Sequence, residues 1–92
     1  MFNKTCTIVY GLWEEMFEKR GAIADAYGCK TVLHMPETPV SREYLSPGLL
    51  VLCEEKPDLS GLSFDFPVRV VTYKVAMEMV KIDEENSAGI GG

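Results

Sequence analysis

The chain has 92 residues, 47% of them apolar and 10% aromatic, which suits one small folded domain rather than a disordered segment. Its net charge of −5 is unevenly placed, with eight acids against four bases in residues 47–92; such a surface argues against non-specific nucleic-acid binding, which needs clustered Lys and Arg, and suits a basic partner surface. There is no run of about eighteen apolar residues and no signal-peptide core after Met1-Phe2-Asn3-Lys4, so no membrane partner is expected and the expected location is the cytoplasm.

The chain is organised around residues 5–28. Thr5-Cys6-Thr7-Ile8-Val9-Tyr10 reads as a first strand, followed by Gly11 and one amphipathic helix. Trp13, Met16, Phe17, Arg20, Ile23, Ala24 and Tyr27 recur at three- and four-residue steps and form the inward stripe. Glu14, Glu15, Glu18, Lys19, Ala22 and Asp25 fall outside it, and the acids crowd the end where the helix dipole favours negative charge. Gly28 stands where a left-handed cap is expected. Residues 29–35 read as a second strand, stopped by Pro36 and Pro39; Thr38-Pro39 or Ser41 opens a short helical turn through Arg42-Glu43-Tyr44-Leu45.

After the Pro47-Gly48 turn, residues 48–53 form a continuous apolar run without alternation, as in a parallel strand buried on both faces. Residues 54–66 are a polar crossover, with room for one helical turn, and residues 68–72 are a fourth strand. Residues 73–82 fit both a helix and an alternating strand; Ala, Met, Glu and Lys favour the helix. The expected fold is α/β: a small four-stranded, mostly parallel sheet with one long helix and a second helix at the C-terminal end. One domain is expected over 1–85, with a disordered tail over 86–92.

Cys6, Cys29 and Cys53 are odd in number, sit in apolar runs and lie 23 and 24 residues apart, which matches no zinc pattern. They read as reduced core residues. His34 is the sole histidine, so a His-pair metal site is excluded; Cys53–His34 and Cys29–His34 are the only conceivable nucleophile dyads. Asp58 with Asp65, or Glu54 with Glu55, are candidate carboxylate pairs, but neighbours along a strand point to opposite faces. No metal or cofactor is expected.

The strand ending Ile8-Val9-Tyr10-Gly11, the passage Ala24-Asp25-Ala26-Tyr27-Gly28-Cys29 into the second strand, and Pro47-Gly48-Leu49-Leu50-Val51-Leu52 before an acidic pair resemble the core of small P-loop proteins, some of them from phages, over most of the chain. The resemblance implies a phosphate cradle at Gly11. That cradle requires G-x-x-x-x-G-K-[ST], and here Met16, Phe17 and Glu18 hold the second glycine, lysine and hydroxyl positions. The strand that should end in an aspartate runs into Cys53. Hydrolysis of ATP or GTP is therefore not expected.

Three surfaces remain as binding candidates: the face of Glu14, Glu15 and Glu18; the Pro-rich loop with Arg42 and Tyr44; and residues 59–66, where Leu62, Phe64 and Phe66 need either core or partner to cover them. In size and character the chain resembles phage-encoded inhibitors of host defence, including anti-CRISPR proteins. That resemblance implies a non-enzymatic interaction protein that binds a host protein or nucleoprotein complex with a basic surface. The alternatives are a degenerate nucleotide-binding subunit using backbone groups near Gly11, and an accessory subunit of a phage enzyme.

Overall fold

The computed structural model describes residues 4–35 and 42–91, with side chains through Asn86. Four strands, β1 (Cys6–Tyr10), β2 (Thr31–His34), β3 (Leu49–Cys53) and β4 (Val68–Thr72), form a single sheet in the order β2-β3-β1-β4. Every pairing is parallel, with Ile8 opposite Val51 on one side and Val70 on the other, and His34 opposite Leu52. β3 is buried at all five residues, as its unalternating apolar run requires.

The two faces of the sheet are covered differently. Helices α1 (Trp13–Glu18), α2 (Arg20–Tyr27) and α3 (Tyr73–Gly91) lie on one face. Met16, Ile23, Ala24, Tyr27, Ala76 and Val80 from these helices pack there on Val9, Leu50 and Leu52. The opposite face, carrying Ile8, Val51 and Cys53, is covered by the connections rather than by helices. Leu45, just after a 3₁₀ turn at Arg42–Tyr44, closes it at one place; Leu59, Phe64 and Phe66 close it at another, the two phenylalanine rings 5.6 Å apart. The aromatic loop is thus spent on the core, and of its large apolar residues only Leu62 stands out to solvent. No helical turn forms in the β3–β4 crossover, contrary to one expectation, because Asp58 turns the chain by accepting hydrogen bonds from the Ser60 hydroxyl and backbone N–H.

The expected single first helix is two. At Lys19 the backbone (φ −99°, ψ 7°) leaves helical geometry, and its N–H is shared between the carbonyls of Glu15 and Met16. Arg20 donates to the Phe17 carbonyl and lays its guanidinium 4.2 Å from the Phe17 ring centre. The break rotates α1 relative to α2, so the predicted stripe does not stay on one side: Met16 and Ile23 are fully buried, whereas Phe17 is 40% exposed. Gly28, at φ 69°, ends α2 as predicted, with Cys29 N–H returning to the Ala24 carbonyl.

Residues 73–82 are helical. Thr72, the last residue of β4, accepts a hydrogen bond at its hydroxyl from the Val75 N–H and so caps α3. The helix runs past Asn86, where the sequence suggested a disordered tail. Pro36, Thr38, Pro39 and Ser41, assigned to stopping β2 and opening a turn, lie outside the described residues.

Candidate functional site

In an open parallel sheet, ligand sites form at the carboxyl ends of the strands, where neighbouring strands send their connections to opposite faces. Here that position lies between β1 and β3. β1 leads into α1 on the helical face, and β3 leads into the crossover that covers the other. The Gly11 N–H donates to the Cys53 carbonyl across this junction. Gly11 has φ 154°, and a Cβ built on it would stand 2.9 Å from the Tyr73 Cβ, so β1 and α3 approach here as closely as glycine permits.

The junction does not carry the P-loop cradle that the resemblance implies. α1 starts two residues after Gly11, and the Met16 N–H is already donated to the Leu12 carbonyl, so this segment is helix rather than a loop of free amides. Met16 is fully buried, with its sulfur 3.9 Å from the Cβ position of Gly11. Phe17 and Glu18 are exposed; Phe17 leaves the lysine position without a cation, and Glu18 brings negative charge to the position of the Mg²⁺-binding hydroxyl.

What surrounds the junction instead is a contact-type surface. Trp13 and Phe17, one helical turn apart, lie 6.1 Å from each other and 5.7 and 5.2 Å from the ring of His34 at the end of β2. Arg20 extends the group over Phe17, and Leu12 beside it is 64% exposed. Sequence reasoning did not find this cluster; the signal was the i, i+4 pair Trp13 and Phe17, assigned wholly to the core. On the other flank of α1, Glu15 and Glu18 approach Tyr73. Partial burial, followed by the charges of Glu15 and Glu18, raises the Tyr73 phenol above its ordinary range. Glu14, Glu15 and Glu18 are all exposed, as expected of that face.

The other predicted site residues are dispersed. Arg42 and Tyr44 are exposed, but their 3₁₀ turn adjoins Leu45, which packs on the face of the sheet opposite to the helices. They and the α1 acids are therefore two surfaces, not one. The Cys–His dyads fail on geometry. His34 packs with Trp13 and Phe17 on the helical face, whereas Cys53 belongs to the other face and its thiol donates to the Glu55 carbonyl at 3.3 Å. Cys29 stands five residues before His34, roughly 16 Å away along an extended chain. All three thiols are free and buried, and burial raises each of them, Cys53 to about 11. None is activated as a nucleophile. Glu54 and Glu55 are exposed, and Asp58 is held below the usual carboxylate range by the Ser60 hydroxyl and N–H.

Among the described residues, no group of three or more His, Cys, Asp or Glu side chains is placed to hold a metal ion, and no helix is long and apolar enough to cross a membrane. No protein-family model matches the chain, and neither the curated proteins nor the solved structures yield a match to it.

Proposed function

We propose that this domain is a non-enzymatic interaction module that engages a basic protein or nucleoprotein surface through α1. The observation that carries the reading is the composition of α1's outer sides at the sheet's carboxyl edge. One side presents Phe17, Trp13, His34 and Arg20 as a partly open aromatic group. The other presents Glu14, Glu15 and Glu18. Aromatic and Arg side chains are the usual anchors of interfaces, and rim carboxylates accelerate encounter with a positive surface. In its narrower form the proposal is a phage or mobile-element inhibitor of a CRISPR-type defence complex, resting on the resemblance of size, charge and absent cradle.

The test is plating efficiency of a targeted phage on CRISPR-proficient hosts that express the chain, combined with association kinetics to the purified effector complex. Rescue of plating by the parent, lost on Phe17→Ala, supports the reading. Replacing Glu14, Glu15 and Glu18 with Gln should slow association and weaken its salt dependence, leaving melting unchanged, while Arg42→Ala with Tyr44→Ala should have no effect. Unchanged binding by both α1 variants would sink the role of α1. Absence of rescue across interference types would sink the narrower form, and a melting shift of several degrees with millimolar ATP or GTP and Mg²⁺ would replace it with the nucleotide-binding alternative.

A further inference from the structure

α3 has two unlike sides. Ala76 and Val80 are buried on the core, with Tyr73 and Met77 packed beside them. On the side turned away, Val75, Met79 and Ile82 are 45%, 37% and 50% exposed. Their spacing of four and three residues is the a/d seam of a coiled coil, and the next seam position is held by the exposed Asn86. The helix also continues through 81–91 beyond Val80, its last buried residue among those with described side chains. A helical segment of that length is marginal in water without a packing partner.

The charges beside the seam identify that partner. At 3.6 residues per turn, Lys74, Glu78, Lys81 and Glu85 fall within an arc of about 60° along one flank of the stripe. Their signs alternate along the helix. In an antiparallel helix pair related by a two-fold axis, each flank faces its own copy in reverse. Lys74 then meets Glu85 of the second copy and Glu78 meets Lys81, so one axis between Met79 and Val80 satisfies all four. In the same pairing Met79 comes beside Met79 of the second copy and Val75 beside its Ile82, so the apolar seam closes in nearly the same register as the charges. A uniformly basic or acidic partner would leave half of this flank opposed by like charge. Within one helix the same residues pair with Lys preceding Glu at i, i+4, the weaker orientation.

We propose that α3 is a self-association surface on which a second copy of this chain pairs antiparallel through Val75, Met79 and Ile82, in register with the Lys74, Glu78, Lys81, Glu85 flank. Three apolar residues per copy make a patch well below the ~800 Å² per partner of a standard interface, so the dimer is weak and concentration-dependent. This surface is distinct from the outer sides of α1, and neither proposal requires the other.

Sedimentation equilibrium of the full chain tests it. The weight-average mass should rise with concentration from 10.3 kDa toward twice that value. Lys74→Glu with Lys81→Glu makes the flank wholly acidic, and Glu78→Lys with Glu85→Lys makes it wholly basic. Each variant alone should remain at monomer mass, and an equimolar mixture should recover the dimer as a heterodimer. Ile82→Asp should abolish self-association without touching the flank. All these positions are exposed, so melting temperature and helical circular dichroism should match the parent. A parent that stays monomeric at millimolar concentration overturns the proposal, as do charge variants that still dimerise alone, or folded variants whose mixture stays monomeric.

Discussion

Gly11→Ala tests the junction on which the carboxyl edge is built. The substitution asks Ala to adopt φ 154° and sets a Cβ 2.9 Å from the Cβ of Tyr73, which belongs to the first residue of α3 and cannot swing aside as a side-chain tip would. A non-glycine residue in a sparsely populated backbone region costs about 1–3 kcal/mol. Overpacking at a fixed contact adds about 1–3 kcal/mol. The expected loss is therefore about 2–6 kcal/mol, against a total of about 5–14 kcal/mol for a domain of this length. At about 4–8 °C per kcal/mol, melting should fall by at least about 8 °C, measured by calorimetry or circular dichroism. Tyr73→Ala should not relieve the effect, because it removes the ring and keeps the Cβ. The control is Gly21→Ala in α2, where nothing lies within 4 Å and the position is exposed. It should stabilise by about 0.5–1 kcal/mol through helix propensity and reduced unfolded-state entropy. If Gly11→Ala melts within about 2 °C of the parent, the close approach of β1 and α3 is wrong.

Two other substitutions and titrations follow from the same geometry. Thr72→Ala removes the hydroxyl that accepts the Val75 N–H and should cost about 1 kcal/mol, read as a lower urea midpoint with unchanged slope; Thr72→Ser should retain most of the stability. The buried cysteines should label slowly with a thiol reagent at pH 8 until the protein is unfolded, and fast native labelling of Cys53 would contradict its place under the crossover. Because burial raises the folded Cys53 pKa from 9.0 to about 11, its neutral thiol contributes stability that is fully present below pH 9 and is lost as pH rises toward 11. Cys53→Ala should flatten that alkaline decline, and an unaltered decline would remove Cys53 as its cause.

Much of the architecture was legible because local and global preferences agree. Residues 48–53 have no alternation, and β3 is buried throughout. Gly28 was readable as a left-handed cap because glycine, having no Cβ, takes that conformation without strain, and it stands at φ 69°. The break at Lys19 was not readable: Lys is a good helix former, and the apolar stripe runs through it without a missed step. The break arises where α1 and α2 pack on the sheet, and its consequence, an outward Phe17 stacked with Trp13, His34 and Arg20, depends on the end of β2 being nearby. Strand order was equally hidden, since apolar runs carry no record of which neighbour they pair with. Without the His34–Leu52 register, His34 and Cys53 look like strand-end neighbours; with it, pleat parity sends them to opposite faces.

The position of Met16 joins fold to proposed function. It occupies the place where the P-loop pattern requires its second glycine, and it is fully buried in the cluster that holds α1, α2 and α3 to the sheet. Restoring glycine there would empty that volume, a change of the kind that costs about 2–5 kcal/mol for large apolar side chains. It would also place glycine inside a six-residue helix, at about 1 kcal/mol more. A phosphate loop and this core therefore compete for one segment. With the segment given to packing, the Met16 N–H is used within the helix, and the solvent-facing chemistry of α1 shifts to its outer sides. Those sides carry Phe17 and three carboxylates, with Arg20 of α2 laid over the Phe17 ring, and it is on these groups that the proposed contact with another macromolecule rests.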